Sequence, residues 1–308
     1  MQAAAQRAKR SGQGGLRNNG MLHLFLLPSV VLLIVFSYIP MAGIVIAFQD
    51  YKTYKGIGGS EWVGLEHFRT MFMDERIVQI IENTLVIALS KMAVGWAAPL
   101  LFALLLNEVR ILLLKRTVQT LVYLPHFLSW VILGGILTDM LSEHGIVNAA
   151  IRALGLPSVF FLGSGGWFRF TLIVSDVWKE FGFGTIIYLA ALAGVNPALY
   201  EAAEIDGASR LRQTFHVTLP SIIKVGVVIG TLSLANVLNA GFDQVFNMIN
   251  PIVAGKGEII DTYVYKVGLL QGAFSFATAV GLFKSVVSLL LIALTYRLAY
   301  KYANYRIF

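Results

Sequence analysis

The sequence predicts an all-α integral membrane protein with about six transmembrane helices. Three observations carry that expectation. Hydrophobic residues fill 57% and charged residues only 13% of the 308 positions, with a mean hydropathy of +0.72, whereas soluble domains carry about a quarter charged residues. Six runs reach the length of about 20 mostly apolar residues that a helical span needs; they lie near 22–48, 83–106, 117–141, 168–194, 222–250 and 276–299. Lys and Arg are distributed unevenly among the segments that join those runs. Cysteine is absent, which excludes a disulfide framework and a thiolate metal site. The pI near 9.5 fits basic loops at a membrane surface better than contact with nucleic acid.

Taken in order, residues 1–21 are rich in Gln, Ala, Gly and basic side chains and form a basic N-terminal segment, disordered or resting on the membrane. The apolar run that follows is too long for a signal-peptide core and no small-residue cleavage site ends it, so no cleaved leader is expected. Residues 22–308 then form one transmembrane domain. Pro28, Pro40, Pro99 and Pro125 fall inside its spans, where neighbouring helices can satisfy the freed carbonyls. With the N-terminus inside, segments 1–21, 107–116, 196–221 and 297–308 hold twelve Lys and Arg, against seven in 49–82, 142–167 and 251–275. That bias places both termini in the cytoplasm, and with them the charged segment 196–220.

This segment has strong local signals. Asn196 followed by Pro197 is a side-chain cap and a first-turn proline, and PALYEAAEID after it is good helix-forming sequence. Glu201 and Glu204, three apart, share a face, while Ala202 and Ala203 keep part of the surface low enough for close approach. Gly207 suits the left-handed residue that ends a helix. Residues 208–218 predict a second short helix, and Pro220 opens the next span. The segment is either a structured element onto which a partner docks or an amphipathic linker lying on the membrane.

The order Glu201-Ala202-Ala203, three residues, Gly207, nine residues, Val217, one residue, Leu219-Pro220 resembles the EAA motif of permease subunits of binding-protein-dependent ABC importers. Val217 stands where isoleucine is more usual, and Leu211 where relatives often carry tryptophan. The stretches YIPMAGIVIAFQDY, WVGLEHFR, YLPHFLSW, SDVWKEFGFGTIIYLAAL and IIDTYVYKVGLLQGAFSFATAVGLFKS are similar to the sugar-importer branch, relatives of the larger maltose permease subunit that move polysaccharide-derived oligosaccharides. The resemblance implies a type I ABC importer permease fold in the bacterial cytoplasmic (inner) membrane. Glu201, Ala202, Ala203, Gly207, Leu219 and Pro220 would belong to a coupling helix seated on an ATPase. It further implies a second homologous permease subunit, two ATPase subunits and an extracytoplasmic solute-binding protein, for which the outer loop 49–78 with Trp62 and Phe68 offers a docking surface. Oligosaccharides, including acidic ones such as alginate or pectin-type fragments, would be the substrate. The chain has no G-x-x-x-x-G-K-[ST] loop, and Gly255-Lys256-Gly257 lacks the spacing. ATP and Mg²⁺ are therefore expected on the ATPase partners, with no cofactor or metal on this chain.

Ionisable groups at membrane depth are costly and face a bundle interior or an aqueous cavity. The fourth span carries Asp176, Lys179 and Glu180; the fifth carries Asn236, Asn239 and Asp243 at i, i+3 and i+7, one helical face. At about 1.5 Å per residue, both sets fall in the outer half of the membrane, level with Lys91 and Lys284. With Trp178, Phe181, Phe183 and Phe242, this belt would suit a sugar, aromatic faces stacking on the ring and amides binding hydroxyls. Interhelical hydrogen bonds and internal ion pairs such as Asp176–Lys179 account for the same residues without a substrate. His126 reads as a packed or backbone-bonded histidine, and His67 and His144 lack the partner at i+4 that a metal site would show. An ion-coupled secondary carrier would need inverted repeats, and none is visible. A membrane enzyme would need a nucleophile–base or metal spacing, which is missing. An ABC permease for a non-sugar solute stays open on chemistry alone.

Overall fold

The computed structural model describes residues 23–303, so the basic segment 1–21 lies outside the described residues. The first span, α1, runs His23–Phe48. It widens to a π turn at Ile34–Tyr38 and tightens to 3-10 geometry at Ala42–Phe48. Pro40, just beyond the π turn, has no N–H to continue the α ladder. A two-stranded ribbon follows, β1 (Gln49–Asp50) antiparallel to β2 (Glu61–Trp62), with Gln49 opposite Trp62. The amphipathic α2 (Glu66–Met73) leads into the long second span α3 (Glu75–Glu108), started by the Asp74 carboxylate accepting from the Arg76 N–H at 2.9 Å.

The third span is broken. Helix α4 (Leu112–Tyr123) passes into a 3-10 turn at Leu124–Phe127 and restarts as α5 (Trp130–Leu141), capped by Ser129 and followed by α6 (Ile146–Ala153). The two arms meet at 103°. The continuous helix expected over 117–141 fails here because Pro125 cannot donate and disfavours helix just before it. The fourth span, α7 (Gly165–Ala193), is unbroken and turns by 70° into the short α8 (Pro197–Ile205).

The fifth span also departs from expectation. Its helix is continuous from Arg210: an α turn to Gln213, a π turn at Thr214–Thr218, then α9 (Leu219–Ala235). Residues 208–218 are thus the lead-in to the span, not a separate helix. It ends at Ala235 rather than near 250, and α10 (Phe242–Met248) resumes after a break at Asn236–Gly241. Gly241 sits at φ 92°, outside helical space. The chain closes with α11 (Ile260–Tyr265) and the sixth span α12 (Phe274–Ala303).

Among the described residues, four helices are long and apolar enough to cross a membrane, and the two bent pairs bring the number to six. Helices α3 and α7 form the central pair. Ile87, Phe168, Leu172 and Val245 build one core cluster toward one end of the pair, while Leu100, Ala103, Tyr188, Leu192 and Ile222 build another toward the opposite end. Gly182 lets α4 approach α7, since a Cβ there would lie 2.3 Å from the Val122 carbonyl. Much of the remaining apolar surface points outward, as on α1, where Leu24 and Phe25 are exposed; in hydrocarbon this is the favourable arrangement.

Candidate coupling and pathway sites

Helix α8 is built by the signals read from its sequence. The Asn196 side chain accepts from the Ala198 N–H at 3.0 Å. At the other end Gly207 takes φ 71°, its N–H bonds to the Glu204 carbonyl, and the Ala208 N–H reaches back to Ala203 at 2.9 Å. This closure needs a left-handed residue. The Tyr200 hydroxyl meets Thr218 Oγ1 at 3.0 Å, tying α8 to the fifth span, and Glu108 at the end of α3 holds both Arg210, at 3.3 Å, and Thr214. The element is therefore fixed to the fifth span, which Glu108 in turn joins to α3, while its outer face stays open. Glu201, Ala202, Glu204 and Ile205 are exposed, Ala203 is half-buried, and neither glutamate has a partner among the described residues. Leu219 is half-buried and Pro220 exposed at the first turn of α9, where proline costs no hydrogen bond beyond those the π turn already rearranges.

At membrane depth the structure sorts the candidate residues into separate groups. Lys91 on α3 pairs with Asp176 on α7 at 3.3 Å. Lys179 pairs with its neighbour Glu180 at 2.8 Å, and Glu180 also holds His126 Nδ1 at 2.7 Å. Lys284 on α12 pairs with Asp261 on α11. The expected Asp176–Lys179 pair is not formed, because Lys91 and Lys179 engage different breaks. His126 bonds a carboxylate rather than backbone and stacks on Phe183 at 4.1 Å.

A cleft of about 320 Å³ opens at the break in the fifth span, lined by Lys91, Trp96, Asp176, Asn236, Asn239 and Gly241 among others. The side chains of Asn236 and Asn239 are exposed and have no protein partner among the described residues. They reach one cleft, though not by the helical spacing expected of them, since no helix exists there. Asp243 belongs to a different surface: it lies in the first turn of α10, exposed and away from the cleft lining. Trp178 faces an apolar groove between α5 and α7. Phe181 packs edge-on against Phe102, and Phe242 packs with Phe246 and Tyr265. The aromatic that lines the polar cleft is Trp96, which the sequence reading missed. Its indole N–H donates to the Gly226 carbonyl at 2.7 Å, and the need of a mid-span tryptophan for such a partner was the signal available.

A family model described as "Binding-protein-dependent transport system inner membrane component" matches residues 93–304. The chain is 48% identical over 284 residues to the polygalacturonan/rhamnogalacturonan transport system permease protein YteP of Bacillus subtilis (strain 168), covering 92% of this chain and 88% of the relative. It is 43% identical over 283 residues to protein LplB of the same organism, covering 92% and 89%. Among solved structures, it superposes with a TM-score of 0.87 and 35% identity on a chain of a bacterial ABC transporter involved in the import of the acidic polysaccharide alginate, covering 94% of this chain and 98% of that one. A structure of bacterial alginate ABC transporter in complex with alginate pentasaccharide-bound periplasmic protein gives 0.86 and 36%, covering 94% and 96%.

Proposed function

The chain belongs to the binding-protein-dependent transport system inner membrane component family, and from that premise we propose that it is the membrane-spanning subunit of an ATP-driven importer of polysaccharide-derived oligosaccharides. Both termini face the cytoplasm in this reading, with 22–308 as the permease domain. The chain carries no catalytic machinery: ATP and Mg²⁺ act on two partner ATPase subunits, a second homologous permease completes the pathway, and an extracytoplasmic protein delivers the sugar.

The observation that carries the reading is α8. It is capped at both ends, tied through Tyr200–Thr218 to a fifth span that Glu108 joins to α3, and exposes Glu201, Glu204 and Ile205, the shape of a handle that transmits movement to the spans. The sugar passes the cleft at Asn236–Gly241, where two unpartnered amides, Asp176 and Trp96 supply hydrogen bonds and an aromatic face. Similarity to a polygalacturonan/rhamnogalacturonan permease and to a chain of an alginate importer favours fragments of acidic polysaccharides. ATPase activity of the reconstituted complex, with and without its binding protein, across neutral and uronic-acid oligosaccharides tests this. Stimulation by one class supports the reading and names the substrate, and silence from an assembled complex overturns it.

A further inference from the structure

Lys91 is 8% exposed and stands where α3, α7 and the break in the fifth span converge. Its ammonium donates to the Ala240 carbonyl at 2.8 Å, to Asp176 Oδ1 at 3.3 Å and to Gln244 Oε1. A lysine has three N–H donors and no more, so these acceptors use all of them. Gln244, fully buried, passes the tie onward: its amide donates to the Leu172 carbonyl and Ser175 Oγ of α7, each at 2.8 Å. The backbone is shaped around this ammonium. Gly241 holds φ 92°, and a Cβ there would lie 2.9 Å from Lys91 Nζ. A backbone carbonyl in a non-helical break at membrane depth must find a donor inside the protein, and for Ala240 that donor is Lys91.

The other broken span repeats the device. Lys179 donates to the His126 carbonyl, inside the break of the third span, at 2.9 Å and to Glu180 at 2.8 Å. Asp176 and Glu180 are one turn apart on α7, so one unbroken helix anchors both breaks.

We propose that Lys91 is a positioning residue for the sugar pathway: it caps the break at Asn236–Gly241 and so holds Asn236 and Asn239 toward the cleft, and it is not the counter-ion of a substrate carboxylate. The cleft then reads hydroxyl groups of the passing oligosaccharide through Asn236, Asn239 and the remaining oxygen of Asp176, whether or not the sugar bears acid groups. The part played by the cleft rests on the oligosaccharide reading above; the part played by Lys91 in shaping it does not.

Because the chain contains no cysteine, Asn239→Cys places one thiol on it at the cleft. In the assembled complex, the rate at which a charged methanethiosulfonate reagent modifies this thiol reports whether the break stays open. In a Lys91→Met background the rate is expected to fall about tenfold, as unpaired groups at the break seek new partners; a rate at or above the parent's overturns the proposal. Gly241→Ala, which alters no charge but forces a Cβ against Nζ, is expected to slow the same thiol and carries the test if Lys91→Met fails to assemble. In uptake assays Lys91→Met is expected to lower transport of neutral and uronic-acid oligosaccharides by the same factor, and selective loss of the acidic one overturns the proposal. The thiol measurement needs no substrate: slowed modification in a complex that no sugar stimulates would remove the oligosaccharide reading and leave the strut standing.

Discussion

At membrane depth Lys91, Lys179 and Lys284 each meet a carboxylate of the same chain, whereas Glu201 and Glu204 on the exposed α8 meet no partner among the described residues. The physical setting explains the difference. A charge taken out of water costs several kcal/mol unless paired and hydrogen-bonded, so these three lysines are neutralised within the chain. At the aqueous face water solvates a glutamate at no cost, so an unpaired one can be held ready for another chain. The same contrast separates polar groups within the cleft: Lys91 is saturated, while Asn236 and Asn239 remain open. Unsatisfied groups at an accessible surface therefore mark where this protein meets something outside itself, and satisfied ones mark how it is held together.

The strongest way to break that contrast is at the turn that shapes the handle. Gly207→Pro demands φ near −65° where the chain holds 71°, and it removes the N–H that bonds Glu204. Strain of 1–3 kcal/mol plus a lost hydrogen bond comes to ~3 kcal/mol, so uptake should fall about a hundredfold in complexes of normal abundance; near-parental uptake would refute the handle. In the membrane, Asp176→Ala strips Lys91 of its counter-charge. Removing one partner of a buried pair costs about 3 kcal/mol or more, and thermal inactivation of the purified complex should shift downward accordingly. Replacing Lys91 and Asp176 together by Met and Leu should recover part of the loss. If the double variant is no more stable than Asp176→Ala, the pair is not the self-contained unit described.

How far these features could be read from the sequence depended on how local their causes are. Helix α8 was legible because its caps are local: Asn196-Pro197 starts it and Gly207 ends it, wherever the rest of the chain goes. The six apolar runs were legible for the same reason, since length and composition suffice. The breaks at 124–129 and 236–241 were not, because the turn-forming residues there are too few to interrupt apolar runs long enough to span a membrane. Asn239-Ala-Gly241 carried a turn signal, but a helical period was imposed across it, and Asp243 was thereby assigned to a face that does not exist. Lys91 could not be matched to Asp176, 85 positions away, without the packing of α3 on α7. Arg169, overlooked in its span, donates to Asn83 and to the Lys256 carbonyl, joining three distant segments that no spacing rule connects.

Two smaller changes sharpen the comparison around α8. Glu201→Lys reverses an exposed charge that meets no partner among the described residues, so insertion and abundance should be normal. Against a partner groove that accepts a carboxylate, like charges opposed across an interface cost up to several kcal/mol, and uptake should fall at least about tenfold. Unchanged uptake would return α8 to the status of a linker.

Glu108→Gln makes the opposite kind of change at nearly the same place. Glu108 is already paired within the chain, with Arg210 at 3.3 Å and side-chain exposures of 41% and 55%, and an exposed ion pair of this kind is worth about 0.2–1 kcal/mol. Glutamine keeps an oxygen for Thr214, so uptake should change by no more than about twofold and the residual effect should fade as salt is raised. A larger loss would mean that Glu108 contacts another subunit directly, and that a charge satisfied within this chain can also form part of its docking surface.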